Sequence, residues 1–180
     1  PQGARNLCGW ETDVPTLVER LLRGRDLFEL SGGGVTCLST GFSCDSSLVA
    51  SNLRIHSCGV GINIPFFSEY HKFTGALCTR NLYGCINNGG NNVFTACSFD
   101  GNKTGFLIDN RDKSACNNSH GSVVGCTFNH SDSNQGIGIQ VLGASHGYVF
   151  SACQLFFSQI VVEDSLGVQF VDFNCGKNER

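Results

Sequence analysis

The 180 residues contain no methionine, three prolines and one tryptophan. Charged residues make up 15% of the chain, well under the usual quarter. These shortages each exclude something. With 12 Lys and Arg against 15 Asp and Glu and no basic block, nothing gathers phosphates, so nucleic acid is not an expected partner. No apolar run reaches membrane-spanning length and no signal-peptide layout opens the chain, so no membrane insertion is expected. CxxC pairs and Cys/His clusters of zinc type are missing, so no metal is expected. GxGxxG and HExxH are missing as well, and no cofactor is expected. The start at Pro1 without a methionine suggests a piece of a longer protein or a processed chain.

What is present is turn formers and phenyl rings. Gly 23, Phe 14 and abundant Asn describe many short strands joined by tight turns. The length suffices for one domain with a real core. The 11 cysteines cannot all pair, and a disulfide framework suits domains too small to build a core. Most are therefore expected as reduced, buried thiols that pack as small hydrophobes, which favours folding in a reducing cytosol.

One pattern recurs. An apolar residue, a small one three later and an apolar one two beyond appear at Ile55/Cys58/Val60, Phe73/Ala76/Cys78, Phe94/Cys97/Phe99, Val123/Cys126/Phe128, Phe150/Cys153/Leu155 and Phe170/Phe173/Cys175. The mean interval is about 23 residues, and a weaker earlier copy lies near Val35–Leu38. Most copies carry a second strand-like tail: GINI at 61–64, GCIN at 84–87, GFLID at 105–109, GIGIQV at 136–141 and QIVVED at 159–164. Strands this short can pair only with their equivalents one copy later. The chain is thus expected to wind into a coil, each copy a turn stacked about 4.8 Å from the last. On this register Cys58, Ala76, Cys97, Cys126 and Cys153 form one interior column, and Val60, Cys78, Phe99, Phe128 and Leu155 another. A leucine-rich repeat would need a helix where the second tail lies, and a propeller would need longer units.

The predicted fold is all-β, a right-handed parallel β-helix of six to seven rungs over 27–180. Residues 1–26 form an N-terminal segment. Asp13, Pro15 and apolar residues at 14, 17, 18, 21 and 22 predict a capping helix over 14–23, ended by Gly24. SGGGVTC at 31–37 reads as the turn into the coil. The edge after Cys175 has no comparable cover, and more chain is expected to continue or pair it.

With its Asn/Gly turns, GφxφD-like tails and stacked interior, the chain resembles the right-handed parallel β-helix superfamily over about residues 27–178. That superfamily includes pectate-lyase-like enzymes and the tailspikes and tail fibres of bacteriophages. The capping helix, the unpaired cysteines and the lack of an export signal make it most similar to a tailspike segment. The resemblance implies a homotrimer in the virion tail, made in the host cytoplasm, that binds bacterial surface polysaccharide and in many members degrades it. A free polysaccharide lyase or glycoside hydrolase, and a structural shaft without ligand, are the alternatives.

Glycoside hydrolysis takes two carboxyl groups, about 5–5.5 Å apart for retention and about 6.5–9.5 Å for inversion. Alignment of the second tails stacks Asn88, Asp109, Gln140 and Glu163 outward, which makes Asp109 and Glu163 the candidate acids with Asn88 and Gln140 beside them. Arg111 and Asp112 next to Asp109 faintly resemble a lyase grouping, although DNRDK reads as a solvated loop. A second outward set is Thr79, Asp100, Asn129 and Phe156, beside Leu77, Ser98, Thr127, Gln154 and Asn174. There Asp100 is a lone candidate acid, His130 a candidate proton carrier, and Asn129 and Phe156 candidate sugar contacts. Solvated strand ends or a subunit interface explain the same residues. Pro65–Phe67, Tyr70 and Phe156–Phe157 have no interior slot and are expected to form the trimer contact.

Overall fold

Short strands follow one another along the chain because Asn, Gly and Ser interrupt every apolar run after a few residues. The computed structural model describes residues 40–43, 47–66, 68–112, 120–131, 136–143 and 147–176. The segment 1–26, its expected helix and the early copy near Val35 lie outside the described residues. Strand β1 (Thr40–Ser43) precedes a winding of β2 (Val49–Ser51), β3 (Arg54–His56) and β4 (Val60–Ile64). The next winding holds β5 (Lys72–Thr74), β6 (Leu77–Thr79) and β7 (Tyr83–Asn87). Then come β8 (Asn92–Thr95) with β9 (Thr104–Asp109), and β10 (Gly121–Val124) with β11 (Gly136–Leu142). A fifth winding holds β12 (Tyr148–Ser151), β13 (Gln154–Leu155) and β14 (Ser158–Glu163), and β15 (Val168–Val171) and β16 (Asn174–Cys175) open another.

Each strand pairs in parallel with the strand one winding later. The first sheet stacks β1-β4-β7-β9-β11-β14 and the second β2-β5-β8-β10-β12-β15. The third joins β3-β6 to β13-β16 through single bridges at Ser98 and Thr127. The described residues make an all-β parallel solenoid of about five turns, with no helix among them. It is a parallel β-helix, and the second tail of each repeat is a strand, as expected.

The corners keep the main-chain ladder unbroken. Between the second and third sheets, Asn52, Gly75, Ala96, Gly125, Ala152 and Asp172 occupy one stacked position, and all have φ between 50° and 65°. At this bend the N–H groups of Asn52, Gly75, Ala96, Gly125 and Ala152 each donate to a carbonyl of the next winding at 2.9–3.0 Å. A left-handed residue at every turn is the local cost of the coil. Within the first sheet Gly61, Gly84, Gly105 and Gly138 stack, and a Cβ on any of the first three would collide with the carbonyl of the glycine above it. Only glycine lets the backbones approach that closely.

Like residues sit over like in the interior. Ala50, Phe73, Phe94, Val123, Phe150 and Phe170 form one column. Phe73 and Phe94 stack with centroids 5.0 Å apart and planes 10° from parallel, and Phe99 and Phe128 stack at 5.6 Å and 14°. Phe106 meets Phe94, Phe99 and Phe150 edge-on. Each such ring pair adds about 0.5–1.5 kcal/mol beyond the burial of its area. The columns lose their cover in the last windings: Ile160 and Val162 continue the fully buried Ile139 and Val141, yet they are exposed, as is Phe170.

The expected register fails in the first winding. Ile55 pairs with Cys78, so it belongs to the column of Cys78, Phe99, Phe128, Leu155 and Cys175. Cys58 is therefore not below Ala76; it lies at the next corner, where its N–H donates to Asn81 Oδ1 at 2.8 Å. Leu53 takes the place of Cys58 in the thiol column, and Val60 lies in the first sheet, opposite Tyr83.

Cys97, Cys126 and Cys153 do stack, each thiol 3.2–3.7 Å from carbonyl oxygens of its own winding and of the preceding one. Cys58, Cys78, Cys85, Cys97, Cys126 and Cys153 are free and buried, and Cys175 is free and exposed. Burial pushes the Cys78 thiol far above its ordinary range and raises Cys153, while a hydrogen bond with Cys126 lowers Cys97.

Two expectations follow. Gly125 has φ +62 and open space where a Cβ would go, so Gly125→Ala costs about 1 kcal/mol through the backbone alone; Ala152→Gly at the equivalent bend gains about 0.5–1 kcal/mol. Urea unfolding of both variants checks the opposite signs. Iodoacetamide followed by mass spectrometry should label Cys175 in the native protein and reach Cys78, Cys126 and Cys153 only on unfolding.

Candidate functional site

The third sheet presents the polar face. Its outward column runs Leu77, Ser98, Thr127, Gln154 and Asn174, in the register expected from the sequence. Beside it Thr79, Asp100, Asn129 and Phe156 stack two residues further along. These side chains are clamped together. Thr127 Oγ1 donates to Asp100 Oδ2 at 2.8 Å, and the Asn129 N–H donates to Asp100 Oδ1 at 2.7 Å. One winding on, Asn129 Oδ1 accepts from the Phe156 N–H at 3.1 Å, and its Nδ2 donates to Gln154 Oε1 at 3.4 Å. Both oxygens of Asp100 thus hold the next winding. Phe156 is half-buried with its ring against Gly176, which occupies its own stacked position one winding later.

The acids of the first sheet are arranged differently. Asp109 pairs with Leu142, and Leu142 with Glu163. The two carboxylates therefore share a column two windings apart, about 9.6 Å along the axis at the strand spacing. Gln140 pairs instead with Leu107 and Val161, so it lies two residues before that column, and buried Leu142 separates the acids. Asn88 sits below Asp109, its Oδ1 3.5 Å from the Asp109 N–H. Arg111 closes on Asp109 through Nε to Oδ1 at 2.9 Å and Nη2 to Oδ2 at 2.6 Å. This pairing holds the Asp109 carboxyl below its usual range, and Asp109 first, then Glu163, raises Arg111. Asp109 is a carboxylate tied to a guanidinium, which suits it to anchoring the bend at Arg111 and Asp112.

His130 is buried beneath the polar face. Nε2 pairs with the Asn102 carbonyl and Nδ1 with Ser158 Oγ, while Ser158 Oγ donates to the Phe128 carbonyl at 2.5 Å. The ring ties three windings together rather than reaching the surface. Asn102 of the Asn102-Lys-Thr sequon is also buried, with Nδ2 on the Cys78 carbonyl and Oδ1 on the Asn81 N–H, both at 2.8 Å.

Sequence reasoning missed the polar cluster inside the coil. Asn87 Nδ2 donates to Tyr148 Oη at 3.0 Å, and Asn87 Oδ1 accepts from Asn92 Nδ2 at 2.9 Å. Asn92 Oδ1 accepts from the His71 N–H at 2.9 Å, and Ser68 Oγ lies 2.6 Å from His71 Nε2. Burial drives the Tyr148 hydroxyl well above its ordinary value. The run NNGGNN at 87–92 was the available signal, and it reads equally well as a surface turn. Among the described residues no group of three or more His, Cys, Asp or Glu could hold a metal ion.

Comparison with protein-family models, curated proteins and solved structures finds no match for this chain.

Replacement Arg111→Ala should return the Asp109 pKa toward the ordinary carboxylate range, read by carbon NMR of the side chain. The Asp109 pKa is depressed by folding, so its stabilisation is present above the unfolded value and lost as pH falls through the folded one. Wild type should lose that contribution on acidification, and Arg111→Ala should show a flatter acid limb in urea unfolding.

Proposed function

We propose that this chain is a segment of a bacteriophage tailspike or tail fibre that recognises host cell-surface polysaccharide as a homotrimer in the virion tail. The observation that carries the reading is the third sheet. Short polar side chains at Ser98, Thr127, Gln154 and Asn174 repeat at one lateral position over successive windings, and Asp100 and Asn129 hold their neighbours in fixed geometry. Pre-ordered hydrogen-bonding groups bind hydroxyl-rich chains with little further loss of side-chain freedom. Exposed Tyr70 with half-buried Phe66 supplies the apolar outer contact for neighbouring subunits.

Recognition is favoured over cleavage by the state of the acids. A general acid must carry a proton near neutral pH, whereas Asp109, held ionised by Arg111, fits only the base or nucleophile role, and buried Leu142 stands between it and Glu163. Asp100 spends both oxygens on the next winding. A free lyase or hydrolase therefore stands second, and a shaft without ligand third.

An array of bacterial capsular and O-antigen polysaccharides tests the reading. Binding to at least one polymer is expected, with Ser98→Ala/Gln154→Ala weakening it about tenfold, the equivalent of one or two net hydrogen bonds. Release of reducing ends that stops in Asp109→Asn or Glu163→Gln would transfer the assignment to the hydrolase. Light scattering that finds only monomer would remove the trimer.

A further inference from the structure

Two of the buried thiols are set apart from the others. Cys97 and Cys126 hold one stacked position in the third and fourth windings, since the residues after them, Ser98 and Thr127, are bridged in parallel. Main chains at that spacing lie about 4.8 Å apart, inside the range of about 4.4–6.8 Å between Cα atoms that a disulfide spans. All three thiols of the column face carbonyl oxygens, but among the described residues one step adds a sulfur contact to the neighbouring main chain: Cys126 Sγ accepts from the Cys97 N–H at 3.3 Å. The pair shares a proton unevenly. Their mutual hydrogen bond is the largest influence on both, holding Cys97 below its ordinary range and pushing Cys126 above it. Cys97 is thus the more thiolate-like, with a proton donor beside it. Both thiols are buried, yet not deeply. Thr95 and Ala96 before Cys97, and Val124 and Gly125 before Cys126, are exposed, and Ala96 and Gly125 form the left-handed bend. Each cysteine is one residue from solvent along the chain.

We infer that Cys97 and Cys126 form a reversible disulfide with a peroxide as oxidant, a redox staple between the third and fourth windings. The Cys97 thiolate attacks one peroxide oxygen; an S–O bond forms, the O–O bond breaks and, with a proton from solvent, water leaves. The Cys126 sulfur then attacks the Cys97 sulfenic acid. The S–S bond forms, the S–O bond breaks, and the Cys126 proton leaves with the hydroxyl as a second water. Two thiols lose two electrons and two protons in all, and one peroxide becomes two waters. A dithiol reverses the change. The bond joins residues 29 apart, which restricts the unfolded chain far more than the folded one, where the two windings already lie together. The staple is independent of the polysaccharide reading.

The test exposes the folded full chain, carrying Cys175→Ser to silence the exposed thiol, to a small molar excess of hydrogen peroxide. This oxidant is little larger than water and needs less opening of the bend than iodoacetamide. The protein is then unfolded, alkylated, digested and mapped by mass spectrometry. A Cys97–Cys126 cross-link that dithiothreitol removes is expected. It should vanish in Cys97→Ala and Cys126→Ala and persist in Cys153→Ala; alanine already stands in this column at Ala76, and circular dichroism checks that each variant folds. The oxidised chain should resist urea more than the reduced one, and only where the cross-link forms. A Cys126–Cys153 cross-link, a cross-link that appears only after unfolding, or an oxidised chain no more resistant to urea would each overturn the inference. So would recovery of Cys97 and Cys126 as alkylated thiols under peroxide that fully oxidises Cys175 in the wild-type chain.

Discussion

The described windings hang on main-chain hydrogen bonds that pass from one to the next and continue through the bend between the second and third sheets. A parallel ladder leaves no slack for a bend, so the chain turns by placing one left-handed residue at the same point of every winding. Glycine fills that point twice, and Asn52, Ala96, Ala152 and Asp172 accept the strain elsewhere. Because the backbones stay in register, side chains have no choice of neighbour. Phenyl rings stack on phenyl rings, thiols follow thiols, and amides cap the winding beside them.

The same constraint shapes the outer faces. A polar residue on a stacked strand always has a neighbour one spacing away, and a short side chain spans that gap easily. The Asp100 and Asn129 clamps arise in this way, as does the interior run from Cys58 through Asn81 to Asn102. Such clamps serve stability, and they also fix the groups beside them. This is how a strand face can present ordered contacts. The acids at the strand ends of the first sheet differ, since one of them is already paired with its own cation.

The winding period was legible because apolar residues return at regular positions and strands that short have no other partner. The column from Leu77 to Asn174 could be read directly, since Ala or Cys precedes every member but the last, where Phe173 stands before Asn174. Two errors have physical causes. In the first winding Ala50 stands where other windings carry Phe or Val, and Leu53 stands where the next four carry Ala or Cys. Exchanging large for small conserves interior volume, so packing tolerates it while the pattern is shifted. In the fourth winding Gly136 and Gly138 both suit the start of a strand. A shift of two residues leaves every side chain on its own face, and only the pairing partner reveals that Gln140 is displaced. The buried asparagines were invisible for a third reason: composition cannot tell a turn at the surface from one folded inward.

The stacked glycines of the first sheet also bear on how such a chain can change. A side chain grown at Gly84 would push against the Gly105 carbonyl, and relief by sliding would disturb the neighbours above and below. One added residue in this sheet must be taken up as a bulge, as between Ile137 and Ile139 against β14. Extra residues placed between strands leave the columns in register, and duplicating an entire winding keeps every column aligned. Heritable variation in this architecture is thus stepwise: length changes come as whole coils, as loop growth, or as a single bulge such as the one at Gly138.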